Sequence, residues 1–404
     1  MDTKKKSIRK SKIRKDDNGV PIVDLLKILN STDDTSKIIK SSFENYFNLT
    51  DFIPIKGAHA LLDSQIMLNN ISLKKDLVSR LEDITIYSKN PFTINFHNIS
   101  DSINFPCCDE IQAHPIYSAQ RDFFSNLFNM DRYAKKLVEK GLNKILESNL
   151  ELLKKENLKK KKYRLLYYKP ENRFYLRAVV SVDNYFDYNI STAVVLALLT
   201  LFNDINKSGV AYSLSLCEYN ESNIRMFFDT GGQRELEGIG YVKNIIEISN
   251  DEIKREALRF SGVCTISFTS ENEEAELFLR PKDVKSKILT IKHNQKPQNA
   301  LKSLADFGNA EIIHNELYED IKSIKNIKNT EQIKFLVLRK IENAKNEDIK
   351  KFKYKLSNEL ITTTTKNIID LLKAFKKIQL IANEDIEASE YLRFVIYEAL
   401  IKKK

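Results

Sequence analysis

Apolar residues change their spacing twice along this chain, and the changes divide it into three regions. Up to about residue 160 the spacing is mostly helical. Ile22, Leu25, Leu26, Ile28 and Leu29 suit one face of a short helix, and the stretch from Ser72 to Leu81 reads as another, with Ser72 placed to cap it. Residues 85–98 alternate as strands broken at Asn90-Pro91, and residues 118–157 read as two or three helices. In those helices Phe123, Phe124, Leu127, Phe128, Leu137, Leu142, Ile145 and Leu146 are the expected core positions.

The middle of the chain has a different period. Residues 163–168 and 174–180 are β-rich runs joined by Lys169-Pro-Glu-Asn-Arg173, a hairpin signal. Strand alternation puts Phe174, Leu176, Ala178 and Val180 on one side and Tyr175, Arg177 and Val179 on the other. Residues 192–205 are apolar without a breaker, which predicts a buried helix ended by Gly209. A second hairpin follows over 211–218 and 223–229, then strands near 242–248, 263–269 and 275–279. Amphipathic helices return at 331–341, 347–360, 366–382 and 389–401. The reading is an α+β protein whose central, mainly antiparallel sheet carries a packed helix and is flanked by helical regions. The expected divisions are a flexible basic arm over 1–20, a mostly helical region over 21–160, the α+β domain over 161–295 and a helical region over 296–404. No fixed-period repeat is present, which argues against a solenoid.

Composition adds a charge bias to this picture. Lys and Arg outnumber Asp and Glu by 65 to 55, a net charge of +10 over 404 residues. The excess is concentrated in two blocks, Lys4 to Lys15 and Lys154 to Arg164, of a kind that attracts nucleic acid, anionic lipid or acidic protein. The four cysteines include the vicinal pair Cys107 and Cys108 and form no zinc-like pattern with His, so free thiols in a reducing cytoplasm are expected. The N-terminus lacks an apolar segment behind its charges, and the longest apolar run, residues 193–202, is short of the roughly 18 residues a membrane span needs. No membrane partner is expected, and the localisation expected is cytoplasmic in a host cell, with virion association as the variant.

Motifs of catalysis are missing. There is no Walker loop, nucleophile elbow, zinc-protease helix or calcium loop. Gly238-Ile-Gly240 lacks the third glycine of a dinucleotide loop, and Thr230-Gly-Gly-Gln-Arg234 reads as a turn. The five histidines, His59, His97, His114, His293 and His314, lie far apart, so each reads as a structural or surface residue. No catalytic residue, metal or cofactor is assigned on this basis. What remains is basic and aromatic: Lys159, Lys160, Lys161, Lys162, Arg164, Arg173, Arg177, Tyr185, Tyr188, Arg225 and Lys243 fall on or beside predicted strands. Cationic groups neutralise phosphates and tyrosine rings stack on unpaired bases, so a sheet with these residues on one open face would hold a nucleic-acid strand.

Arg177-Ala-Val-Val-Ser181 followed by Asp187-Tyr-Asn189 resembles the phage- and plasmid-like family of unknown function numbered nine hundred thirty-two. The family pattern has a helix like Ala119-Gln-Arg-Asp-Phe-Phe-Ser-Asn-Leu-Phe128 with Tyr133 after it, then a strand ending in the Arg-Ala unit. Ile246-Glu-Ile-Ser-Asn-Asp-Glu252 is similar to its second unit, and the likeness runs over residues 118–400. Where the family places Arg-Tyr after the Ser, this chain has Val182-Asp-Asn-Tyr185. The resemblance implies a phage or mobile-element origin and no known reaction. The expectation is therefore a non-enzymatic protein binding single-stranded or deformed DNA. The alternatives are a self-associating assembly or virion protein, whose amphipathic C-terminal helices would bury a partner helix, and an enzyme built from dispersed residues.

Overall fold

The computed structural model describes residues 6–9, 16–29, 33–43, 45, 47–87, 92–99, 110–156, 160–182, 185–253, 258–270, 273–281, 287–304, 307–308 and 310–401. In chain order, β1 (Lys6–Arg9), β2 (Val20–Pro21), α1 (Ile22–Ile28), α2 (Asp34–Phe43), β3 (Phe52–Ile53) and α3 (Ala58–Ile71) come first. Then follow β4 (Ser72–Ser79), β5 (Ile84–Tyr87), β6 (Thr93–Phe96), β7 (Ile111–Pro115), α4 (Ala119–Phe128), α5 (Asp131–Glu139), α6 (Asn143–Glu156), β8 (Lys161–Tyr168) and β9 (Arg173–Val180). After these come α7 (Ile190–Ser208), β10 (Ser213–Tyr219), β11 (Asn223–Leu236), β12 (Gly240–Asp251), β13 (Leu258–Ser270), β14 (Glu273–Leu279) and β15 (Lys287–Ile291). The chain ends with α8 (Pro297–Ser303), α9 (Ala310–Lys322), α10 (Thr330–Glu342), α11 (Glu347–Thr362), α12 (Ile368–Ile381) and α13 (Ile386–Ile401). The protein is α+β.

Contacts gather the chain into two units. The first is Ser64–Asp187 together with Ile253, and the second is formed by the stretches on either side. Its boundary differs from the expected one at residue 161. Strands β8 and β9 join a sheet with β4 to β7, in the order β4-β8-β9-β7-β6-β5, so a cut there would divide a hydrogen-bonded sheet. Only β7 and β9 run parallel. Phe123, Phe124, Leu127, Leu137, Leu146 and Leu150 of α4–α6 pack on one face of this sheet with Ile94, Phe96, Tyr163, Leu165 and Leu176. Asn129 ends α4 in the left-handed conformation at φ 55°, where a side-chain amide is tolerated better than most residues.

Three sequence expectations fail in this unit. The segment from Ser72, expected as a helix, is the edge strand β4 paired with β8. The β8–β9 ladder carries a bulge beside Arg164 and Leu165, so Arg164 pairs with Ala178 while Leu165 pairs with Leu176. Arg177 is the extra residue, and the faces exchange across it: Phe174, Leu176 and Val179 share one side, Tyr175, Ala178 and Val180 the other. Leu142 and Ile145, expected in the core, are 42% and 46% exposed.

The second unit is built on an antiparallel sheet ordered β1-β10-β11-β12-β13-β14, with β15 also pairing β13. Lys6–Arg9, expected inside a flexible arm, pairs with β10, whose backbone groups would otherwise form an open edge. Helix α7 is the buried helix of the sequence reading. Asn189 caps it through Thr192 N at 2.9 Å, and Gly209 closes it at φ 73°. At 19 residues α7 is long and apolar enough to cross a bilayer, and 72% of that stretch is buried inside the fold. Helices α9–α13 bury their apolar faces against one another and against Val242, Cys264, Ile266, Phe268, Leu277 and Leu279 of the sheet. Gly240 makes its strand fit: a Cβ there would lie 2.0 Å from the Ser267 carbonyl oxygen.

Candidate nucleic-acid interface

In the first unit the residues that looked cationic and open divide into buried and exposed sets. Arg164 is 0% exposed. It stands across β8 from Asp76 of β4, and its Nε donates to Asp76 Oδ1 at 3.1 Å. Its Nη2 lies 2.5 Å from Asp187 Oδ2, and its Nη1 donates to the Tyr185 hydroxyl at 2.8 Å. The Tyr185 ring also sits 5.0 Å from the guanidinium carbon. Two carboxylates and a phenol therefore occupy the directions from which a phosphate would approach. Arg177, at the bulge, is likewise fully buried.

The exposed set is smaller. Lys160 is exposed, and Lys161 and Lys162 at the start of β8 are half-buried. Lys161 pairs with Ser79 and Lys162 with Val78, which brings exposed Arg80 to the same end of the sheet. Arg173 is exposed but opposes Tyr168, at the other end of the β8–β9 hairpin. At the usual strand rise the two ends are roughly 20 Å apart. Lys159 lies outside the described residues, as do Cys107 and Cys108.

The second unit turns its predicted site residues inward as well. Tyr188 is 0% exposed and its hydroxyl donates to Gln295 O at 2.6 Å, so it cannot offer a ring to a base. Arg225, on β11, is 3% exposed and donates through Nη1 to Glu247 Oε1 of β12 at 2.6 Å. It also pairs with Glu390 of α13. Arg280 closes the arrangement, with Nε 3.0 Å from Glu247 Oε2 and a second pairing to Glu390. One turn along α13, Arg393 grips Glu218 of β10 with Nη1 and Nη2 at 2.9 and 2.7 Å and lies 4.7 Å from the Phe227 ring. Burial pushes the Glu247 carboxyl up, but the guanidinium groups of Arg280 and Arg225 outweigh it and hold it below the usual carboxylate range. Lys243 is committed to Glu276 at 2.6 Å.

The expectation that the eleven residues share one open sheet face is thus corrected. Those described are distributed over two units; Arg164, Arg225 and Tyr188 are buried with their polar groups anchoring strands and helices, and Arg177 is buried at the bulge. Sequence reasoning missed Glu218, Glu247, Arg280, Glu390 and Arg393, the partners that make Arg225 structural. A signal was present: Arg225 and Glu247 stand inside the apolar runs Ile224 to Phe228 and Ile245 to Ile248. A charge embedded in a strand covered on both faces must find a buried partner.

One acidic group could hold a metal ion among the described residues, formed by Asp348, Asp385 and Glu387. Lys351 already approaches Asp348 and Asp385 at 3.2 and 3.8 Å, and Asp385 caps α13 through Ala388 N at 3.0 Å, so local charge and capping account for the group. No protein-family model, curated protein or solved structure matches the chain.

Proposed function

We propose that the protein binds nucleic acid through the lysine-bearing end of the first unit's sheet, in a phage or mobile-element setting. The observation that supports the reading is the placement of Lys160, Lys161 and Lys162: no ion pair occupies them among the described residues, in contrast to Arg164, Arg225 and Lys243. Such ammonium groups neutralise phosphates without reading bases. With Tyr188 sealed and Tyr185 held against Arg164, stacking leaves the reading, and duplex and single-stranded DNA are expected to bind alike. The test is fluorescence anisotropy with labelled oligonucleotides across a salt series. Three phosphate contacts predict a log–log slope of about −3 on duplex. Changing all three lysines to glutamate should abolish binding with an unchanged thermal melt. Absence of binding by the unaltered chain below about 100 mM salt overturns the proposal.

A second reading, self-association, is favoured by α6 and Leu142, the residue that precedes it. Leu142, Ile145 and Leu152 are 42%, 46% and 64% exposed and fall with Asn149 at spacings of three, four and three residues, the seam of a helix pair. Tyr133, 47% exposed, adjoins them through its hydroxyl, 3.4 Å from Asn149 Nδ2. The C-terminal helices, expected to receive a partner helix, bury one apolar face in their own unit and leave Phe335, Tyr354 and Ile361 exposed. Light scattering tests this reading: a dimer that Leu152→Glu converts to monomer supports it, and a monomer at all concentrations rejects it.

A further inference from the structure

At the edge of the first unit's sheet opposite β4, strands β5, β6 and β7 assemble a group that neither the motifs nor the proposed function uses. Thr85 pairs with Asn95, and Asn95 pairs with Gln112, so the three form a row on one face. The adjacent residues Ile84, Ile86, Ile94, Phe96 and Ile111 turn the other way into the core. His97 lies two residues beyond Asn95, and its backbone is fixed by His97 N donating to Asp83 O at 2.8 Å. Glu110 lies two residues before Gln112. His97 Nδ1 is 2.7 Å from Glu110 Oε1, and His97 Nε2 is 2.7 Å from Thr85 Oγ1.

Proton bookkeeping gives this group a direction. An ionised carboxylate only accepts hydrogen bonds, so the proton between Glu110 and His97 belongs to Nδ1. In the neutral imidazole Nε2 is then the acceptor, and the Thr85 hydroxyl must be the donor. The Thr85 oxygen thus has its proton engaged by a base, and a carboxylate holds that base in the required tautomer. The side chains are open to solvent, with His97 29% and Glu110 62% exposed. Directly across from Thr85, Asn95 buries its Oδ1 without a partner.

The geometry points to Thr85, His97 and Glu110 as a nucleophilic acyl-transfer site for small, unhindered carboxylic esters. Thr85 Oγ1 adds to the ester carbonyl carbon while its proton moves to His97 Nε2. The bond to the alcohol oxygen then breaks, and Nε2 returns the proton to that leaving group. Water, deprotonated by the same nitrogen, adds to the acyl-threonine. Collapse of the adduct breaks the bond to Thr85 Oγ1, which recovers its proton, and releases the carboxylic acid. The small acyl group follows from the threonine methyl, which crowds the nucleophile, and from a site that lies on an edge strand rather than in a deep cleft.

The site is independent of the lysine end, so its test does not involve nucleic acid. The purified full chain is assayed with p-nitrophenyl acetate, with intact-mass and peptide mapping for an acetyl group on Thr85. The expected result is turnover above buffer and a trapped acetyl-threonine. Thr85→Val and His97→Gln should fall at least about a hundredfold, to the buffer rate, while Thr85→Ser retains activity. Unaltered far-ultraviolet circular dichroism in Thr85→Val separates lost chemistry from lost fold. Hydrolysis equal in the chain and both variants, or no hydrolysis at all, overturns the assignment and leaves the three residues as a tie between β5 and β7.

Discussion

Arg225→Ala separates a structural guanidinium from a phosphate ligand. The side chain is 3% exposed and shares two carboxylates, Glu247 and Glu390, with Arg280. Removing it leaves two acids facing one guanidinium, an uncompensated negative charge beside Glu247, which is 1% exposed. Breaking a buried pair in this way costs about 3–5 kcal/mol. Glu390 is 23% exposed and can draw some water, which places the expectation toward the lower end, at about 3 kcal/mol. For a folding unit of this size that lowers the melting temperature by roughly 6–12 °C. Circular dichroism melts and urea titrations of the full chain measure the loss. The Arg225→Ala/Glu247→Ala double variant should recover part of it, because it removes the orphaned charge together with its partner. Oligonucleotide anisotropy on the folded protein should be unchanged. An Arg225→Ala chain that melts like the parent yet loses DNA would refute the reasoning, since it would place the guanidinium in solvent.

Three further perturbations address other parts of the fold. Arg164→Ala should destabilise the first unit by about 3 kcal/mol by setting Asp76 and Asp187 against each other, whereas Arg173→Glu should leave the melt unchanged. Burial holds the His314 imidazole below its ordinary value of 6.5, against the pull of its Nε2 hydrogen bond to Ile245 O at 3.0 Å and with the help of Arg234. The neutral ring therefore contributes stability that is complete above pH 6.5 and is lost as pH falls below it, and urea titrations of His314→Gln between pH 7 and 5 should be flatter than the parent's. Gly240→Ala should prevent folding or cost more than about 3 kcal/mol, because its Cβ meets the Ser267 carbonyl, while Gly238→Ala, at φ 72° in open space, should cost only about 1–2 kcal/mol by the same melts.

The sequence made the long, unambiguous elements readable and left the local exceptions hidden. Helix α7 stood out because its apolar run, with no breaker before Gly209, is too long for a strand. Strand β4 did not. Its apolar residues, Leu73 and Leu77, are four apart, a separation that returns to the same face in a helix and in a strand alike. Its lysines, Lys74 and Lys75, suit an exposed helix as well as an edge strand. The bulge at Arg177 was invisible for another reason: one inserted residue reverses every subsequent face, and nothing in Phe174 to Val180 marks the insertion. Among the candidate site residues, charge and aromaticity were legible but partners were not. Asp76 lies 88 residues before Arg164, and Glu390 lies 165 residues after Arg225.

These partners decide where the basic character of the chain can act. In the layer between the second unit's sheet and α13, Arg225, Arg280 and Arg393 face Glu218, Glu247 and Glu390, three cations against three anions. Around Arg164, Asp76 and Asp187 outnumber the guanidinium. None of the +10 excess comes from these buried groups, so it is carried by side chains elsewhere, and lysines with mobile ammonium groups are the bulk of it. A field of that origin attracts polyanions over about a Debye length and weakens steeply with salt. It carries little shape of its own. Specificity for a polyanion, where the protein has any, must then come from fixed groups other than the arginines that stand out in the sequence, because their charges are already spent on Glu218, Glu247, Glu390, Asp76 and Asp187.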